Sequence, residues 1–403
     1  MGVAVVPRGR APGYAIIRGM KSLDITEVAG AHQTTETASG KRGSRLLSLD
    51  VLRGFDMLFI MGGGPLMLAL CAALGAPDCA FAQQFCHVPW EGFAFEDLIF
   101  PLFLFIAGVS FPFSAAKRLA QGATRAALAW HAVRRGLTLI FLGLVYNGFL
   151  KLDLAHVRIF GVLQLIGLAW MVAALLYLSF GRTARAGIAV ALLVGSWLLF
   201  RFVGAPDFPD AAPFSPEGNL GCWIDRTLFG SHIYKPLFDP EGTAGILPSI
   251  VTPMLGMFAG ELLRSALSGG KKVLILLASS VAMVGCGLLM SLSIPVVKAL
   301  WSSSFVLVAG GCSAALLALF YFVIDVKGWR GGTLFFRVIG MNAITIYLVQ
   351  RVVGLHAASE FLFGGAAALL PAAWQPVGLA LAYVATCWLL LYFLYRKNVF
   401  LKV

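Results

Sequence analysis

Runs of about twenty apolar residues, each closed by charged or Gly/Pro-rich stretches, recur ten times along the chain. They decide its class, because a helix that hydrogen-bonds its own backbone is one of the few structures able to cross a bilayer. The expected spans are 47–74, 97–116, 136–150, 159–180, 187–203, 243–263, 273–292, 303–325, 335–353 and 374–395. Over 403 residues, 59% are hydrophobic and 12% charged, too few polar groups to cover a water-soluble surface. Disordered, collagen-like and disulfide-scaffold classes lack their signatures. The fold expected is all-α, a polytopic membrane bundle of about ten transmembrane helices.

The net charge of +12 would suggest nucleic-acid binding in a soluble protein, but its placement points to topology. With the N-terminal tail in the cytoplasm, alternate connections collect 23 of the 31 basic residues on that side, while seven (Lys151, Arg158, Arg201, Arg226, Lys235, Lys298 and Arg351) fall opposite. The positive-inside rule then places both termini in the cytoplasm and makes the lipid bilayer, not nucleic acid, the partner. Residues 1–46 read as a disordered cytoplasmic tail and 47–403 as the membrane domain. The outer loop 204–242 carries Asp207, Asp210, Glu217, Asp225, Asp239 and Glu241, which suits either a solvated loop or a positively charged partner.

Cys286, Cys312 and Cys387 lie in spans and read as small apolar fillers. Cys79, Cys86 and Cys222 fall on the outer side, where one bridge is allowed, Cys79 with Cys86 or either of them with Cys222. No metal-ligand spacing, phosphate loop, nucleophile elbow or dinucleotide fingerprint occurs, so ATP-driven pumping, serine hydrolysis and metal catalysis have no support.

What remains is a set of polar groups at span ends, where burying a charge is expensive enough to suggest function. Asp50, Arg53 and Asp56 recur at i, i+3 and i+6 on one face of the first span, a stripe that can pair along its length. Gly62-Gly63-Gly64-Pro65 then interrupts the same helix, which predicts a kink or cavity near mid-membrane, or else a close helix crossing. The following loop brings His87, Trp90, Glu91, Glu96 and Asp97 to the outer mouth of the second span. An imidazole beside a carboxylate that fixes its tautomer is the raw material of acid/base catalysis, although a lone loop histidine is more often simply solvated.

Five ordered motifs resemble a known family. Ser48-Leu-Asp-Val-Leu-Arg-Gly-Phe-Asp56, His87 to Asp97 followed by Phe100-Pro-Leu-Phe-Leu-Phe-Ile-Ala-Gly108, Arg158-Ile-Phe-Gly-Val-Leu-Gln164, Asp239-Pro-Glu-Gly242 and Gly340-Met-Asn342 are similar to segments of the transmembrane acyltransferases related to heparan-α-glucosaminide N-acetyltransferase. The resemblance runs from about residue 46 to the C-terminus and lacks the family's additional N-terminal lumenal region and first span. It implies transfer of acetyl from cytoplasmic acetyl-CoA to the amine of a sugar on the far side of the membrane. The family's active-site loop, His-x-x-Trp-x-Gly-x-x-x-x-Asp, lands on His87, Trp90, Gly92 and Asp97, which makes His87 and Asp97 the expected catalytic pair. Two positions depart from the pattern: Ile60 stands where the family has an active-site asparagine, and Leu165 replaces the arginine that commonly follows Val-Leu-Gln.

On this reading the cofactor site for acetyl-CoA, the acyl donor, is cytoplasmic, with Arg53, Lys117, Arg118, Arg134 and Arg135 as phosphate partners. Trp90, Glu91, Arg158, Asp239 and Glu241 would bind an amino-sugar or glycan acceptor in the periplasm of a bacterial inner membrane, with a homodimer allowed. For each arginine of the cytoplasmic cluster the simpler reading is an ordinary topology determinant. His87 either deprotonates the acceptor in a ternary complex or first takes the acetyl group itself. The rival class is a secondary transporter or flippase for a glycan or lipid, since ten spans with a broken helix also suit alternating access.

Overall fold

The computed structural model describes residues 46–401, so the tail expected over 1–46 lies outside the described residues apart from Leu46. The first span opens with α1 (Leu47–Leu58), passes through one π turn at Phe59–Gly63 and continues as α2 (Gly64–Ala73). The turn is where the glycine run predicts a break. Gly62 has φ 123°, a conformation that a side chain would strain, and a Cβ there would stand 3.1 Å from the Tyr383 ring. Both the kink and the close crossing are therefore present at one residue.

A short α3 (Ala80–Gln83) leads to α4 (Phe95–Ala120), followed by α5 (Arg125–Tyr146), α6 (Val162–Ser179) and α7 (Arg182–Phe202). The outer loop contains α8 (Leu220–Ile224), after which α9 (Thr243–Ser249) and α10 (Val251–Arg264) form one span. Then come α11 (Gly269–Met290), α12 (Ser303–Phe320), α13 (Thr333–Met341), α14 (Ala343–Val352), α15 (Leu355–Ala368) and α16 (Gln375–Arg396). Among the described residues nine helices are long and apolar enough to cross a bilayer, and α13 with α14, bent by 67° at Asn342, brings the number to ten. The chain is an integral membrane protein, and its described elements are all helical.

Two expectations are corrected. The third span begins at Arg125 and ends at Tyr146, not at 136–150, so Arg134 and Arg135 lie inside the helix. A hydropathy window registers only the apolar part of such a helix and misses the charged turns that carry it beyond the lipid. The segment after 353, expected as a connection, holds α15, which at 14 residues is shorter than a bilayer crossing requires.

The innermost spans are α4 and the α9–α10 pair, and they touch backbone to backbone. A Cβ on Gly108 would fall 2.2 Å from Pro253 O, on Gly256 2.1 Å from Phe105 O, and on Gly260 2.4 Å from Val109 O. Gly256 and Gly260 are four apart, so one face of α10 is cleared for α4. Leu104, Phe105, Ile106, Met254 and Met257 fill the core on either side of this seam. Gly195 on α7, by contrast, faces open space.

Gly256→Ala is expected to destabilise the protein by about 1–3 kcal/mol through overpacking, whereas Gly195→Ala should be neutral or slightly stabilising. Thermal unfolding in detergent measures both. Equal midpoints for the two variants would show that the seam is not a backbone contact.

Candidate functional site

His87 lies on the segment between α3 and α4, and Asp97 occupies the third position of α4. An acidic group in a first turn suits the positive end of the helix dipole, and here the side chain also reaches back to the helix start. Asp97 Oδ2 accepts from the backbone N–H of Ala94 and of Val88, each at 3.3 Å. Asp97 Oδ1 lies 2.9 Å from His87 Nδ1 and 3.2 Å from Lys298 Nζ. The carboxylate is 2% exposed and the imidazole 60%.

Lys298 Nζ also stands 3.3 Å from His87 Nδ1. One nitrogen cannot donate to Asp97 and accept from Lys298 together, and the shorter contact to the carboxylate is the stronger one. This assigns the proton to Nδ1, held by Asp97, and leaves Nε2 with its lone pair. Lys298 arrives because two loops zip together. Gly92 N–H donates to Val296 O at 2.8 Å and Glu91 bridges to Val297.

Arg158 forms the second cluster. Its Nε and Nη2 donate to the two oxygens of Asp239 at 2.8 and 2.5 Å, and Nη2 also donates to Glu241, while the Tyr234 ring lies 4.7 Å beneath the guanidinium. Burial works against the Arg158 charge, but the two carboxylates outweigh it and hold its pKa above the ordinary value. Burial pushes Glu241 up, the Arg158 charge opposes it, and the like charge of Asp239 adds to the rise. Asn147 fixes the strand of chain carrying Arg158 by donating to Arg158 O at 2.9 Å and to Phe160 O at 2.6 Å, and Gln164 donates to Ile159 O at 3.0 Å.

Asp225 holds the Asp239–Gly242 turn from behind. Its Oδ1 accepts from Thr243 N–H at 2.9 Å and Thr243 Oγ1 at 2.8 Å, and its Oδ2 from Asp239 N–H at 3.4 Å. A Cβ at residue 242 would sit 2.0 Å from Asp225 Oδ2, which is why a glycine closes this motif. Arg226 staples the same outer loop by donating to Asp207 and to the carbonyls of Pro216, Glu217 and Leu237. Much of the acidic content expected to face a partner is thus internally paired.

Two cavities meet at these residues. An inner one of about 360 Å³ is lined mainly by apolar groups, including Met57, Ile60, Gly62, Phe103, Ile166 and Tyr347. An outer one of about 290 Å³ is lined by Trp90, Arg158, Tyr234, Lys235 and Phe238 among others. His87, Glu241 and Lys298 line both. Trp90 keeps its place by donating from Nε1 to Phe214 O at 2.9 Å and by packing edge-on against Phe238.

Other expected residues are placed differently. Glu91 is exposed, lines neither cavity and contributes through its backbone bridge. In the Asp50–Arg53–Asp56 stripe Arg53 contacts Asp50 at 3.4 Å and donates to Ser110 at 3.0 Å, while the buried Asp56 oxygens feel the Arg53 charge but accept no hydrogen bond among the described residues. Arg135 is within electrostatic reach of both Arg53 and Arg118 and stacks on Trp170 at 4.2 Å, and Lys117, Arg118 and Arg134 are exposed. Cys79, Cys86 and Cys222 are free thiols, and Cys222 is buried. Lys298 carried no sequence signal beyond its place among the outer basic residues. Its significance comes from a loop pairing more than two hundred residues away in the chain.

The described helices thus form a membrane bundle that carries an imidazole–carboxylate pair at the junction of two cavities. The family model for "Heparan-alpha-glucosaminide N-acetyltransferase, catalytic" matches residues 45–294, and the chain belongs to this family. It is 30% identical to the heparan-alpha-glucosaminide N-acetyltransferase of Homo sapiens over 425 residues, covering 89% of this chain and 60% of that protein. The Mus musculus protein of the same name is 30% identical over 423 residues, covering 89% and 61%. The chain thus spans about three fifths of the length of these relatives.

Burial, opposed by the hydrogen bonds from Thr243, pushes Asp225 up to about 6 from 3.8. The folded state then holds this proton more tightly than the unfolded chain. The associated stability, at most about 3 kcal/mol, is complete below about pH 4 and is lost as pH rises through about 6. Thermal unfolding between pH 4 and 7 should show the parent protein losing stability relative to Asp225→Asn as pH rises; parallel curves would contradict the shift.

Proposed function

We propose that this protein is a membrane acetyltransferase that moves acetyl from cytoplasmic acetyl-CoA to the amine of a sugar on the periplasmic side of a bacterial inner membrane, with both termini cytoplasmic. The observation that carries the reading is the position of His87 in the wall common to both cavities. A thioester in the inner cavity and an amine in the outer one would approach the same imidazole.

The basic cluster at the far end of the bundle suits the phosphates of the donor. Arg53 bonds Ser110, thirteen residues along α4 from Asp97, or about 20 Å of helix. A long flexible arm would have to bridge that gap, and the apolar lining of the inner cavity suits such an arm better than a sugar. The outer cavity offers aromatic faces and hydrogen-bonding groups, the usual means of holding a sugar ring.

Amino sugars are largely protonated at neutral pH and attack only as the free amine. In the proposed step Nε2 of His87 takes a proton from the attacking nitrogen as it bonds to the thioester carbon. Asp97 stabilises the imidazolium that results and keeps the ring aligned. The carbon–sulfur bond then breaks, and the proton passes to the departing sulfur. The products are the N-acetyl sugar and free CoA. The transporter reading predicts no release of CoA and no need for an imidazole at this place.

With purified protein, labelled acetyl-CoA and glucosamine as acceptor, His87→Ala and Asp97→Asn should each lower turnover by about 10²–10⁴-fold. Free CoA and acetylated sugar are the readouts. Turnover of His87→Ala within threefold of the parent would remove His87 from the mechanism. Label retained on the parent protein without acceptor, and absent from His87→Ala, would show that the imidazole carries the acetyl group itself.

A further inference from the structure

We infer that Lys298 is a third catalytic residue, whose ammonium group stabilises the negative charge that develops on the acyl oxygen during transfer. The inference rests on the acetyltransferase reading above and adds a role that neither the sequence motifs nor the family match assigns.

Three observations converge on this side chain. Its Nζ is 3.2 Å from Asp97 Oδ1 and 3.3 Å from His87 Nδ1, which sets a cation beside the group that faces the reacting carbon. It lines both cavities, as only His87 and Glu241 also do, so it borders the place where donor and acceptor would meet. An ammonium has three N–H donors. One is used by Asp97, and the Nδ1 proton of His87 points to the same carboxylate, so the imidazole does not accept from Lys298. Donors therefore remain for an oxygen at the cavity junction.

The loop that presents Lys298 is held in a costly conformation. Trp301 is buried with φ 50°, a value unusual for a bulky side chain. Its N–H donates to Lys298 O at 2.9 Å and its indole Nε1 to Thr252 Oγ1 at 3.0 Å. Ser302 ties the base of the turn, donating from its N–H to Val297 O at 3.1 Å while its hydroxyl oxygen accepts from Val297 N–H at 3.0 Å. Backbone strain of this kind persists where surrounding structure fixes it, commonly at functional sites.

The chemistry needs such a group. When the amine nitrogen bonds to the thioester carbon, the carbonyl electron pair moves onto oxygen. That charge lasts until the carbon–sulfur bond breaks and sulfur departs with the proton relayed by His87. The surroundings are apolar on the donor side, and a fixed cation there stabilises an oxyanion far more than it would in water.

The test uses the full-length protein in detergent, with Lys298→Met and Lys298→Arg. Lys298→Met should lower kcat by about 10²–10³-fold with KM for acetyl-CoA changed by less than about threefold, and Lys298→Arg should recover part of the loss. Binding supplies a readout that a purely structural role would not move. Carboxymethyl-CoA bears an anionic oxygen near the position of the acyl oxygen, and Lys298→Met should weaken its binding about tenfold or more while CoA itself binds as before. Equal loss of affinity for both ligands, or kcat within threefold of the parent, overturns the assignment and leaves the acetyltransferase reading intact. A parent protein that neither binds CoA nor releases it from acetyl-CoA overturns both.

Discussion

A single buried carboxylate organises this molecule's outer end. Asp97 gathers two backbone N–H groups, an imidazole and an ammonium on two oxygens. An ionised carboxylate shut away from water is tolerable only when its lone pairs are occupied, and here the donors come from three stretches of chain, the His87–Val88 pair, the start of α4 and the loop bearing Lys298. One bond starts α4, another orients the histidine, and a third draws in the loop before α12. Remove that charge and three elements lose a common fixed point. The placement of His87 is therefore a product of helix capping as much as of any property of the histidine.

The second cluster repeats the logic at longer range. Arg158 is held by Asp239 and Glu241, the turn bearing those carboxylates is held by Asp225, and Asn147 holds the backbone that bears the arginine. Each polar group in the chain of contacts is satisfied by the next. This explains why a long outer loop, which would otherwise be solvated and mobile, presents aromatic and charged side chains at fixed positions around a cavity.

Much of the architecture was legible because the bilayer imposes so strict a rule. Apolar runs and the glycine-rich break follow directly from the cost of exposing backbone polar groups to lipid. His87 and Asp97 were legible as a pair because ten residues separate them and one helix start joins them. Lys298 was not, since its meeting with Asp97 depends on a backbone pairing between distant loops. Arg134 and Arg135 fell outside the expected third span because a hydropathy window drops charged turns, although the same helix carries them and packs Arg135 on Trp170. Asp56 feels the charge of Arg53 without accepting a hydrogen bond among the described residues, and no spacing rule tells which rung of a stripe is bonded and which is only near.

The glycine seam between α4 and α10 has a mechanical consequence for the inner cavity. Backbones in direct contact have no side-chain cushion to compress, so the wall built on α4 behaves as a rigid strut. The facing wall comes from segments that are already interrupted, the π turn at Gly62 and the 67° bend at Asn342. The chamber thus has one unyielding side and one jointed side.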